Sequence, residues 1–116
     1  MRCANGCSSD GVFEYCSTFA ADATIAAGGT YLICNSGLEG DTSACNEVLD
    51  DYLVYFNGDD FIALITGTDC TAATAANIID QIGLFSATDP GSNWPVCGSS
   101  SGMDTQNGLL IRANTT

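Results

Sequence analysis

The chain reads as a small α/β or α+β sandwich: one domain over residues 1–116, with about three helices on a short sheet, stabilised by disulfides. Three observations carry that prediction. Apolar residues recur at helical spacing in three stretches, short apolar runs rich in β-formers lie between them, and seven cysteines are spread through the 116 residues. Helices alternating with strands across short connections are the pattern of a layered sheet-and-helix fold.

The most informative stretch is 42–58, TSACNEVLDDYLVYFNG. Wound as a helix, it gathers Cys45, Val48, Leu49, Tyr52, Leu53 and Phe56 into one apolar stripe and sets Asn46, Glu47, Asp50 and Asp51 opposite. Thr42 or Ser43 caps its start, and Asn57-Gly58 suits the left-handed geometry of an end.

Residues 10–29 are expected to form an earlier helix. Asp10 is its cap, Val12, Cys16, Phe19, Ala20, Ala23 and Ala27 form its stripe, and Gly28-Gly29 stops it. Residues 30–34, TYLIC, are short and apolar on both faces, as a covered strand would be. Residues 61–66, FIALIT, are almost continuously apolar and read as a central strand.

A third helix is expected over 70–83, capped by Thr71, with Ala75, Ile78, Ile79 and Ile82 as its stripe and Gly83 at its end. Residues 86–108 are dense in Ser, Gly, Asp and Asn and hold both prolines, so they form one long irregular loop. A last short strand follows at 109–111. Val54 and Ile25 fall on the polar sides of their helices, where they would mark a contact only if they cluster in the fold.

Fourteen acids face two bases, Arg2 and Arg112, with no lysine or histidine, for a formal charge of -12. Nucleic acids and anionic membrane surfaces are held by lysine and arginine, so neither is an expected partner. No run of about 18 apolar residues exists to span a bilayer. The opening MRCANGC lacks the apolar core of a signal peptide, so a leader was removed ahead of Met1 or none was needed.

The cysteines sit at 3, 7, 16, 34, 45, 70 and 97. Without histidine or a CxxC pair, zinc ligation is disfavoured and a disulfide framework is expected, which implies an oxidising, extracellular setting. Three bridges leave one thiol over. Cys16 and Cys45 lie mid-stripe on the expected helices, so one of them is the predicted free thiol. The other joins Cys3, Cys7, Cys34, Cys70 and Cys97, whose fifteen possible pairings the sequence leaves open.

The missing histidine removes the commonest general base, and the missing lysine removes Schiff-base chemistry. Carboxylate chemistry remains, but Asp50-Asp51 and Asp59-Asp60 are adjacent pairs, whose side chains diverge on a helix and face opposite sides on a strand. The chain is therefore read as non-catalytic, with no cofactor. Neither GxGxxG nor GxxxxGK[ST] occurs. The loop from Asn35 to Glu47 has Gly40 at the sixth place of a calcium loop, but Gly37 at the third and Asn46 at the twelfth break the pattern.

Acids crowd residues 39–60 without a base among them, and Asp59 and Asp60 follow the expected C-terminus of a helix, whose dipole disfavours them. A cation or a basic partner is expected to offset the cluster. Glu39, Asp41, Asp59 and Asp60 are the expected ligands and calcium the suited ion. Trp94, between Asn93 and Pro95, either plugs a gap beneath its loop or anchors a ligand. Asn114-Thr115-Thr116 is a terminal glycosylation sequon.

The function predicted from these features is a secreted, acidic, disulfide-stabilised module that binds a protein partner. A subunit that self-assembles into an extracellular filament or coat, and a small carboxylate hydrolase, are the alternatives.

Overall fold

The computed structural model describes residues 1–5, 7, 13–37, 40–49, 52–70, 72–96, 104–106 and 110. It replaces the expected helices with five short strands in two small sheets. In chain order these are β1 (Arg2–Cys3), β2 (Ile33–Asn35), β3 (Glu47–Leu49), β4 (Phe61–Ile65) and β5 (Ile78–Ile82). Among the described residues, helical structure is confined to two 3₁₀ turns, Tyr52–Val54 and Ala75–Asn77.

The first sheet has the order β1-β4-β5, antiparallel throughout. Arg2 faces Ile62 and Cys3 faces Phe61. Across the other edge Ile62 faces Ile82 and Leu64 faces Asp80, and an irregularity between Leu64 and Ile65 then brings Ile65 opposite Ile78. β2 and β3 form a separate parallel pair, with Ile33 opposite Glu47 and Asn35 opposite Leu49. Parallel neighbours need a crossover of about ten residues or more. Residues 36–46 supply it, and the Cys34–Cys45 bridge closes it at one end.

Each failed helix has a physical reason. In 42–58 only Ala44, Glu47, Leu49 and Leu53 are strong helix formers, whereas Val48, Tyr52, Val54, Tyr55 and Phe56 favour extended backbone. Cys45 is held to Cys34, and Glu47–Leu49 pair with the neighbouring strand. Residues 17–22 and 24–29 are exposed, so the alanines there find no surface to pack on, and most helical stability in proteins comes from such packing. The start of that segment, 10–12, lies outside the described residues, as do Asp50 and Asp51.

In 70–83 a short turn wins at the start. The Thr74 hydroxyl accepts from the Ala76 N–H, and the Asn77 side chain accepts from the Thr74 N–H. The segment Ile78–Ile82, three of whose five residues are β-branched isoleucines, then pairs with β4 instead of continuing as a helix. FIALIT is the strand it was expected to be, and the strand expected at 30–34 begins at Ile33 instead. Of the expected strand 109–111 only Leu110 is described, and it has no regular structure. The described parts of the 86–108 loop carry one isolated bridge, Pro95 to Asp104.

The core is small and lies on one face of β4. Met1, Cys3, Cys7, Phe13, Phe61, Ala63 and Ala73 are buried there, with Cys16, Ile65, Cys70, Ile78 and Phe85 packed around them. Phe13 stacks on Phe85 at 4.7 Å between ring centres, and Phe61 lies 5.4 Å from Phe85. Rings at these separations add to their burial energy.

Three disulfides supplement it: Cys3–Cys7, Cys16–Cys70 and Cys34–Cys45. The cysteine-rich, disulfide-bonded character expected from sequence is therefore present. The leftover thiol is neither of the two expected, because Cys16 and Cys45 are both bridged. Once their helices are gone, the argument that buried them mid-stripe has no basis. Cys97, expected to be bridged, lies outside the described residues, and the six described cysteines are paired with one another.

Candidate functional site

Two groups of side chains were candidates for function, and the structure separates them. The first is built around Asp59 and Asp60, which follow Gly58 into β4 and are buried. Asp60 accepts from the Arg2 guanidinium at 3.0 Å through Oδ1 and from the Asn57 N–H at 3.2 Å through Oδ2. Arg2 also donates to the Tyr52 carbonyl and lies 5.3 Å from the centre of the Tyr15 ring. Such an arrangement holds both ions and a cation–π contact away from water, where removing one partner is costly.

A counter-charge for Asp60, which 39–60 itself lacks, is therefore delivered by β1 across the sheet. A lone base between Met1 and Cys3 was the signal for it. Asp59 Oδ1 and Arg2 Nε are buried without a hydrogen-bond partner.

Trp94 completes this knot from the long loop. Its indole N–H donates to the Asp60 carbonyl at 3.0 Å, and its backbone N–H donates to the Thr105 hydroxyl at 2.9 Å. The Thr105 hydroxyl donates in turn to the Gly58 carbonyl. Gly83, at a φ of 86°, leaves the ring its place, since a Cβ there would lie 2.6 Å from the indole nitrogen.

Asp41 stands apart. It is exposed, and its carboxylate accepts from the Ser43 N–H at 2.8 Å and hydroxyl at 2.9 Å, which together hold its pKa below the usual value. Glu39 lies outside the described residues. Among the described residues no three histidine, cysteine or carboxylate side chains converge as a metal centre would require.

The second group was not read from the sequence. β4 is apolar on both faces, and only the face bearing Phe61 and Ala63 packs into the core. Ile62, its cross-strand partner Ile82, and Leu64 line a cleft of about 1060 Å³ between the two sheets. Its far wall carries Ile33, Leu49, Leu53, Val54 and Phe56, with Phe19 and Tyr31 at the side. The cleft is open: Leu64 is 43% and Phe56 56% exposed. At one end a smaller hollow of about 200 Å³ shares Phe56, Ile62 and Ile82 and reaches Leu110 and Thr105.

Cys16 and Cys70 also line the cleft, so their bridge fixes part of its wall. Two ionisable carboxylates line it, Glu47 from β3 and Asp80 from β5. The Tyr31 hydroxyl donates to Glu47 at 3.2 Å. Desolvation, together with that carboxylate, holds the phenol above its ordinary pKa.

The signal for this cleft was the two-sided apolar character of FIALIT, which asks for cover on both faces. Among the described residues no helix is long and apolar enough to cross a membrane. Comparison with protein-family models, curated proteins and solved structures finds no match to this chain.

Proposed function

We propose that the chain is a secreted, non-catalytic binding module and that the cleft between its sheets is the binding surface. The observation that carries this reading is the uncovered face of β4 and β5, where Ile62, Leu64 and Ile82 look across open space at a second apolar wall. Large apolar side chains gain about 1.5–3 kcal/mol each when fully buried, so an occupant of this space has ample energy to draw on. Contiguous exposed apolar surface on a soluble domain marks a contact site more often than it marks chance. Three disulfides are consistent with an oxidising location outside the cell.

A hydrolytic reading lacks support in the geometry. Asp60 is committed to Arg2 and the Asn57 N–H, so Asp59 and Asp60 do not form a pair of carboxylates across a cleft. The calcium expectation rests on the buried, unpartnered Asp59 Oδ1 and on the acidic composition, and a comparison of melting temperature in calcium, magnesium and sodium at matched ionic strength tests it.

The cleft itself is tested with a neutral apolar dye such as Nile red, which the net charge does not repel. The folded wild type should bind the dye and brighten it. Leu64→Asn and Ile82→Asn should lose most of that signal with little change in melting temperature. Absence of dye binding, or equal binding by all three proteins, would refute the cleft as the site.

A further inference from the structure

Resting on the reading of the cleft as a binding surface, we propose that its occupant is a cationic amphipathic polypeptide segment. Apolar side chains of that segment seat between the sheets, and lysine or arginine meets Glu47 on one wall and Asp80 on the other.

Charge decides the class of partner. The cleft is lined by apolar residues, the hydroxyl side chains of Ser17, Thr18 and Thr68, and two carboxylates, one from β3 and one from β5, with no lysine or arginine side chain among its lining residues. Asp22 adds a further negative charge near Tyr31 on the same side. Of the chain's two bases, Arg2 is buried against Asp60, and Arg112 lies outside the described residues. Among the described residues no basic side chain is exposed, and the Met1 ammonium is buried against the Ala63 carbonyl, while the formal charge of -12 extends a negative field over the molecule. Low-dielectric walls concentrate such a field inside a cleft and raise the local concentration of cations.

The same arithmetic argues against a second copy as the occupant. It would bring another -12 and would set like charges against Glu47 and Asp80. A fatty acid or other anionic amphiphile meets the same repulsion. Size argues for a polypeptide, since about 1060 Å³ is at the top of the range for small-molecule pockets and this space is open along its length. The hollow beside Phe56 and Leu110 would take a single apolar anchor at one end.

Three synthetic peptides of equal length test the proposal by calorimetric titration: one alternating leucine with lysine, one leucine with glutamate, and one serine with lysine. Only the leucine–lysine peptide should bind, and its affinity should fall as salt is raised. Glu47→Gln combined with Asp80→Asn should weaken it by about 3- to 10-fold at low salt. Leu64→Asn, or Ile82→Asn should the first variant fold poorly, should weaken it more.

Equal binding of the leucine–glutamate peptide would overturn the charge assignment while leaving the cleft as a site. Equal binding of the serine–lysine peptide would reduce the effect to bulk charge and overturn the proposal. So would dimerisation by sedimentation that masks the cleft from every peptide. Loss of all peptide binding together with loss of Nile red binding would overturn the cleft reading as well.

Discussion

On one face of β4, Phe61 and Ala63 are closed off from water, whereas on the other Ile62 is only half-buried and Leu64 is 43% exposed. The two faces belong to the same five residues and have similar hydrophobicity. They differ in what the rest of the chain brings to them. The inner face receives Phe13, Phe85, Ala73 and the Cys3–Cys7 bridge. The outer face looks at β2 and β3 across a gap, because that sheet is tethered within itself by Cys34–Cys45 and is not drawn down onto β4. Hydrophobicity along a strand thus states how much cover it wants and says nothing about whether the cover comes from its own chain.

The largest expected effect comes from breaking the inner face. Phe61→Ala removes a fully buried ring that contacts Phe13 and Phe85 and should cost about 3–5 kcal/mol in chemical denaturation. Leu64→Asn, on the outer face, should cost about 0.5 kcal/mol or less. Similar costs at the two positions would mean that the cleft is filled in solution and that the two faces are alike.

The same contrast explains what the sequence made legible. FIALIT was readable as a strand because five consecutive apolar residues bounded by Asp60 and by Thr66-Gly67 leave few alternatives. Periodicity misled at 42–58 and 70–83, because Val48-Leu49 and Ile78-Ile79 satisfy a helical stripe while their β-branched or strand-paired character favours extension. Composition alone does not arbitrate between those, and the pairing edges that did so, β2 and β4, come from elsewhere in the chain. The acidic cluster was visible, but its partner Arg2 lies 58 residues from Asp60. No local pattern reports a contact at that distance.

Cross-links offer the next test. In the loop-entropy picture the Cys16–Cys70 bridge, spanning 54 residues, should contribute about 4 kcal/mol, Cys34–Cys45, spanning 11, about 3 kcal/mol, and Cys3–Cys7, spanning 4, about 2 kcal/mol. Paired serine replacements measured by denaturation should follow that order. The Cys16–Cys70 replacement should also reduce Nile red binding, because it releases a wall of the cleft. Mass mapping of the unreduced protein should return these three pairs, and recovery of Cys16 or Cys45 as a free thiol would contradict the framework.

Arg2→Met should cost about 3 kcal/mol, because it strips Asp60 of its counter-ion while the carboxylate stays buried. Adding Asp60→Asn to that variant should recover part of the loss. Failure of the second change to recover anything would show that Arg2 acts through its stacking on Tyr15 rather than through the ion pair. Gly58, Asp60 and Thr105 of the knot line the small hollow at the end of the cleft, so dye binding by the refolded variants reports whether that end keeps its shape.

The smallest effect should come from the wall of the cleft itself and is read by pH. Tyr31 donates to Glu47, and desolvation and the neighbouring carboxylates raise its pKa above 10.0, so the fold favours the neutral phenol. A raised pKa contributes stability that is complete below the unfolded value and is lost as pH climbs through the folded one. Wild-type stability should therefore decline at alkaline pH more steeply than that of Tyr31→Phe, and the two curves should run parallel below pH 10. In the native protein, tyrosinate absorbance should show a late-titrating phenol that Tyr31→Phe removes. Glu47→Gln keeps a hydrogen-bond acceptor and removes the charge, so it should bring that late midpoint down. A bound leucine–arginine peptide should do the same, since its guanidinium groups stay charged at these pH values, compensate the Glu47 carboxylate and favour the phenolate. If neither the substitution nor the peptide moves the midpoint, Tyr31 does not sense the occupant and the cleft is engaged elsewhere along its length.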